Sequence, residues 1–315
     1  MSQWAGIESA APTTAPVAAR APQPVAARRP VPRLKRTERL IIGSIDTAAH
    51  VLQRKARDVI VGSALFMVPM VAVNLLLSVL AFDQFDAIDG MFGDRGYLGV
   101  ETGFSLLAVL TQSFTAHLIG AYTAVYLVKY QMGGDPTIRS CAGAVLRRLP
   151  LLVLTWAITH CWVPLLALWV FTSDRSTVVG VAWFLPFLLP LLSAGALLVA
   201  PVVMAERLGL RSLGRAWRLV RTRFGAAYGF VWAGFLLGLL MFLFIAFLPP
   251  LAETTGLITF GSYTWLLQGV ASQLAGLIVM PFSAIAAAQL YLQTRVHAEG
   301  LDITMAADRA FGERA

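Results

Sequence analysis

The stretch ERLGLRSLGRAWRLVRTRFGAAYGFVWAGFLLGLLMFLFIAFL (residues 206–248) changes character once, and that change decides the fold. Its first half holds Arg207, Arg211, Arg215, Arg218, Arg221 and Arg223, whereas residues 225–248 carry no charged side chain. At helical spacing Leu213, Trp217, Val220 and Phe224 share an apolar stripe, and Arg207, Arg211, Arg215 and Arg218 form a cationic ridge. This pattern predicts an amphipathic helix lying in a membrane interface, with Trp217 at headgroup depth. Its arginines present forks suited to phosphates. The apolar half is long enough to cross a hydrocarbon core, which takes roughly 20 helical residues.

Five more apolar stretches of similar length lie on either side, at about 59–82, 104–128, 150–172, 178–204 and 265–292. If the six alternate in direction, 23 of the 25 Lys and Arg residues fall on the side of the N-terminus, and only Arg95 and Arg175 on the other. Basic residues near span ends stay in the cytoplasm. The expected fold is therefore an all-α membrane protein, a six-helix transmembrane bundle with amphipathic helices on its cytoplasmic face and both termini cytoplasmic.

Composition agrees. The chain is 57% hydrophobic and 13% charged, with a mean hydropathy of +0.71, far from the roughly one-quarter charged residues of soluble domains. The net charge of +8 divides into +13 on the inner segments and −5 on the outer ones. It marks one membrane surface, where anionic headgroups are attracted. No room remains for a nucleic-acid recognition fold. Cys141 falls in an inner loop and Cys161 within a span, so they form no disulfide framework. Residues 1–36 lack an apolar core of the signal-peptide type, and the first span is expected to act as an uncleaved insertion signal.

Three regions follow. Residues 1–36 are an Ala/Pro-rich tail expected to be disordered and cytoplasmic. Residues 37–303 form the membrane domain, and residues 304–315 are a short cytoplasmic tail. The domain opens with a second amphipathic helix, 37–57, whose stripe is Ile41, Ile45, Ala48 and Leu52. An acidic outer segment, 83–103, lacks the register of a calcium loop. The second span has a polar half (Thr111, Gln112, Ser113, Thr115, His117) and small residues Ala116, Gly120 and Ala124 at four-residue steps, which admit a close helix neighbour. A basic stretch, AVLRRLP, precedes the third span. Pro186, Pro190 and Pro201 break the fourth, leaving open whether it crosses fully or re-enters. A surface helix followed by a span recurs at 37–82, 143–172 and 207–248, which suggests three repeated units.

Chemistry is sparse. All six spans lack Asp, Glu, Lys and Arg, the groups that pumps and proton-coupled carriers place at depth. His117 and His160 are available there, but His160 and Cys161 are adjacent and point to different faces, so no metal set forms. Their expected role is hydrogen bonding between helices. Hydrolase and phosphate-loop motifs are absent, and no enzyme activity or cofactor is expected. The leading expectation is a non-enzymatic multi-pass module. Its basic cytoplasmic face, centred on Arg207, Arg211, Arg215, Trp217, Arg218 and Arg221, binds anionic lipids or a protein partner in the membrane, and no nucleic acid. The alternative is a transporter for a lipid-like or amphipathic substrate, with Gln112, His117, His160 and Gln273 along its path.

At LLVAPVVMAERLGLRSLGRAWRLVRTRFGAAYGF (residues 197–230) the chain resembles a family of bacterial, largely actinobacterial, integral membrane proteins called the glycerophosphoryl diester phosphodiesterase membrane domain. That family has a Pro-containing span, an acidic residue and a helix of the form RSWRLVRxRF, matched here by Pro201, Glu206, the run from Arg215 to Arg221, and Phe224. Its closing pattern of Pro, a Leu-Tyr pair, an arginine pair and Glu-Gly-x-Asp is similar to PFSAIAAAQLYLQTRVHAEGLDI (residues 281–303). Two departures are Gly43-Ser44-Ile45-Asp46 for the family's Gly-Glu-x-x-Asp, and Thr294-Arg295-Val296-His297 for its Arg-x-Arg. The resemblance covers about residues 37–303. It implies a helical module of the bacterial cytoplasmic membrane, and no phosphodiesterase, because the catalytic barrel needs about 250 residues of its own.

Overall fold

The computed structural model describes residues 36–82, 95–172, 184–206, 208–246, 248–259 and 264–300, all within one compact unit, Lys35–Ala315. The tail before Arg36, most of the acidic segment (83–94), the turn at 173–177, Arg207 and the final tail (304–315) lie outside the described residues.

Among the described residues helices are the only regular secondary structure, joined by short turns, and there is no strand. In order the helices are α1 (Arg36–Phe82), α2 (Arg95–Gln131), α3 (Ile138–Arg147), α4 (Leu149–His160), α5 (Trp162–Thr172) and α6 (Leu185–Ala196). Then come α7 (Val199–Glu206), α8 (Arg211–Thr222), α9 (Phe224–Ala246), α10 (Leu248–Thr254) and α11 (Thr264–Glu299). Five segments are long and apolar enough to cross a bilayer: Leu40–Asn74, Leu149–Leu166, Phe187–Glu206, Phe224–Ile245 and Gln273–Glu299. The expected second span lies within α2, a 37-residue helix that is not one of the five. Its described part carries the polar run Thr111, Gln112, Ser113, Thr115 and His117.

Prolines explain two of the breaks. Pro164 has no N–H to give the carbonyl of His160, and the helix divides at Cys161 into α4 and α5. Pro201 likewise leaves the carbonyl of Leu197 without its partner, and α6 gives way to α7 there. Three other breaks share a different geometry. Lys55 (φ −128°, ψ 31°) interrupts α1, Arg148 (φ −106°, ψ 10°) separates α3 from α4, and Arg223 (φ −141°, ψ 41°) separates α8 from α9. Each is a basic residue at the end of a short helix, a position that complements the helix dipole. Each stands just before an apolar helix, where surface helix gives way to span within the three repeated units suggested by sequence.

The long helices α1, α2 and α11 pack against one another at the centre, with α9 on α11 and α7 on α2. Their shared core includes Val59, Ile119, Tyr122, Tyr126, Ile285, Leu290 and Tyr291, all almost fully buried. Gly120 meets α7, where a Cβ would lie 3.5 Å from the Cβ of Ala200, so the small-residue step in the second span does seat a neighbour. The leading part of α1 buries Leu40, Ser44, Ala48 and Val51 rather than the expected stripe of Ile41, Ile45, Ala48 and Leu52. The face is rotated because the small residues lie against α11, where Ser44 bonds Gln293 at 3.3 Å. Ile41 instead reaches Gly229 of α9.

The exterior is apolar. Val68, Leu165, Phe187, Leu240 and Phe244 are all exposed, Phe244 by 73%. Large apolar side chains exposed in such number are unusual for a soluble monomer, whereas hydrocarbon accepts them, and five segments are long and apolar enough to cross a bilayer. This is a membrane-embedded protein.

Candidate functional site

A densely bonded polar group joins three helices. Glu206 ends α7, Arg215 lies in the middle of α8, and Tyr291, Arg295 and Glu299 follow the last turns of α11 at helical spacing. Arg215 Nε donates to Glu206 Oε2 at 2.8 Å, and its Nη2 is paired with Glu299. Arg295 Nε lies 3.1 Å from Glu299 and 3.5 Å from Glu206. The Tyr291 hydroxyl donates to Glu206 Oε1 at 2.9 Å and accepts from Arg295 Nη1 at 3.2 Å.

Two features of the backbone make this convergence possible. Gly209 has φ +59° in the turn between α7 and α8, a left-handed conformation that brings α8 back over Glu206. Gly300 (φ +63°) closes α11 directly after Glu299, its N–H bonding the carbonyl of Val296 at 3.1 Å. The Leu-Tyr, Arg and Glu-Gly positions of the closing pattern, and the acidic and arginine positions before the fifth span, thus have a common physical purpose. Two cations balance two anions, with Glu206 only 11% exposed and Arg215 20%. Burial alone would lower the pKa of Arg215, but hydrogen bonds to Glu299 and Glu206 outweigh it and hold the guanidinium above its usual range. The donors and acceptors are used on each other. The group acts as a fastening between α7, α8 and α11.

This divides the expected arginine surface. Arg215 turns inward and does not belong to the outward ridge. Arg211, Arg218 and Arg221 are exposed, and none of the three forms an ion pair among the described residues. Arg207 lies outside those residues. The buried face of α8 is Ser212, Ala216, Leu219 and Val220; of the predicted stripe, Val220 is buried and Leu213 and Phe224 are partly buried against the core. Trp217 is 48% exposed, and one edge of its ring rests where a Cβ on Gly195 would come within 3.0 Å.

Of the four residues of the expected path, His117 and His160 lie along the contact between α2 and α4. Gln112 is on the exposed side of α2 and Gln273 is half-buried on α11. His117 is buried and shares a hydrogen bond with Thr155 at 3.4 Å. His160 bonds within its own helix, to Thr159 at 3.0 Å and to the carbonyl of Trp156 at 3.1 Å. The surrounding polar groups also join helices. Thr111 donates to Asn74 at 2.8 Å, and Trp156 Nε1 to Ser113 at 3.1 Å. Among the described residues no three of His, Cys, Asp and Glu are placed to hold a metal.

Sequence reading alone did not single out Tyr291, Arg295 or Glu299 as partners of Arg215. The signal was present in the closing pattern that carries the family resemblance. Compared with known protein families, curated proteins and solved structures, the chain matches none of them.

Proposed function

We propose that this protein is a non-catalytic, multi-pass module of the bacterial cytoplasmic membrane whose basic inner face gathers anionic lipid headgroups. In this reading α2 is a sixth crossing, both termini are cytoplasmic, and α8 lies at the inner interface. The observation that carries it is the exposure of Arg211, Arg218 and Arg221 around a half-exposed Trp217 on one helix. Arginine forks suit lipid phosphates, and an indole ring suits headgroup depth. The ion cluster supports it further, because it fastens α8 to α11 in a fixed pose instead of leaving a loose basic loop. The same cluster is built from the residues that carry the resemblance to the phosphodiesterase membrane-domain family, and we place the chain beside that family on this ground. A protein partner in the membrane would use the same surface.

The observations favour this reading over a transporter. Ser113, His117 and Thr155 are occupied by bonds between helices.

The test uses the full chain in vesicles of mixed phosphatidylglycerol and phosphatidylcholine, with spin-labelled lipids reporting which species borders the protein. Selectivity for the anionic lipid is expected to weaken at high salt. It should also fall about fivefold for each arginine removed in R211Q/R218Q/R221Q, since a basic residue near a membrane is worth about 1 kcal/mol. Selectivity that is unchanged by both salt and substitution would refute the proposal.

A further inference from the structure

Gln112 differs from its neighbours in the polar run of α2. Thr111 donates to Asn74 of α1 at 2.8 Å, and Ser113 accepts from Trp156 of α4 at 3.1 Å. Thr115 bonds back to the carbonyl of Thr111 at 2.7 Å, and His117 shares a hydrogen bond with Thr155 at 3.4 Å. Gln112 is exposed, and among the described residues no hydrogen bond reaches its carboxamide.

That exposure has a cause in the fold. Ala116 and Gly120 stand one and two turns further along the same face of α2. Gly120 is covered by α7 at its contact with Ala200. Beyond the break at Pro201, α6 packs chiefly on α9 and α8 instead. Gln112 and Ala116, the next positions on that face, are therefore left exposed. In a crossing that begins near residue 104, Gln112 lies about 12 Å inside the outer edge. That is close to the middle of a hydrocarbon core about 30 Å thick. A carboxamide at this depth meets no water, and acyl chains offer it nothing to bond.

We propose that Gln112 is the centre of a homodimer interface, in which α2 of one copy faces α2 of a second and the two Gln112 carboxamides bond reciprocally. Three arguments select a second copy as the partner. A carboxamide carries both donors and an acceptor, so two of them satisfy each other, whereas lipid esters only accept. Two copies inserted in the same direction hold this residue at the same depth, and a twofold axis normal to the membrane makes the contact self-complementary. The small side chain of Ala116 lets the two backbones approach closely. The inference rests on the reading of α2 as a crossing, but it uses no residue of α8.

The test is oxidative cross-linking in native membranes, in a chain from which Cys141 and Cys161 have been replaced by alanine. A116C, which keeps Gln112, should give a disulfide-linked dimer. L240C, on the exposed side of α9, should not. In proteoliposomes A116C/Q112L should need about tenfold higher protein density for the same cross-linking, the scale of one polar contact between membrane helices. Circular dichroism identifies variants that remain folded. Cross-linking of A116C no greater than that of L240C overturns the interface. Folded A116C/Q112L that links as readily as A116C overturns the role of Gln112, and an adduct between A116C and a different protein overturns the second copy. These outcomes leave the lipid reading standing, because Arg211, Arg218 and Arg221 remain in place. Labelling of Q112C by a membrane-impermeant maleimide would show that this residue is not in hydrocarbon, and would overturn this inference and the six-crossing topology together.

Discussion

Gly62 and Tyr122 form the tightest joint between α1 and α2. A Cβ on Gly62 would lie 2.0 Å from Tyr122 Cζ, and the Tyr122 hydroxyl donates to the carbonyl of Asp58 at 2.8 Å. The neighbouring Tyr126 hydroxyl reaches the Asp58 carboxylate at 3.0 Å. Space and hydrogen bonding are therefore set by one residue that has no side chain. Gly62→Ala is expected to lower thermal stability in detergent by about 2 kcal/mol, the scale of an overfilled core. An unchanged melting temperature would contradict this packing. Nothing in the sequence marks Gly62 among 26 glycines, because its importance depends on a ring sixty residues away. The same limit applies to Arg215. Helical spacing placed it correctly beside Arg211 and Arg218, but its inward turn depends on Glu299, which lies in another helix.

At the scale of elements, the pattern of apolar and basic runs located the helices well and their faces less well. The boundary between surface helix and span was expected near residue 57, and the break falls at Lys55. The equivalent breaks at Arg148 and Arg223 repeat its geometry, which gives the suggested three-unit organisation a backbone signature that sequence identity did not supply. Stripe positions were harder to read. In α1 and α8 the buried faces are rotated from those predicted, since close packing favours small residues such as Ser44, Ser212 and Ala216 over larger apolar ones. That preference is expected where helices associate by van der Waals contact and not by leaving water. The ion cluster should govern how firmly α8 is held. Glu206→Gln removes the carboxylate shared by Arg215, Arg295 and Tyr291 and leaves two cations facing Glu299 alone. Breaking such a partly buried network costs about 2 kcal/mol, less than the full penalty for a buried pair because solvent reaches it. Amide exchange over residues 211–222 is expected to quicken about thirtyfold in Glu206→Gln, while exchange in α2 stays unchanged. Equal protection in both proteins would show that α8 is held by its apolar face alone.

At the scale of the whole molecule, the charge distribution is the most legible property of the chain, since it needs no knowledge of packing. Under the proposed six-crossing topology it gives every span a direction at once. A cleft lined by Lys129, Ser140 and Arg147 is not legible in the sequence. Lys129 and Arg147 belong to different helices, and only the fold turns them toward one space. The central claim is that the exposed arginines of α8 face the cytoplasm. It is tested most directly with a single cysteine, R218C, in a chain from which Cys141 and Cys161 have been replaced by alanine. A membrane-impermeant maleimide should label that cysteine in inside-out vesicles and fail to label it in intact cells. Labelling in intact cells, with none in inside-out vesicles, would reverse the orientation and contradict the account.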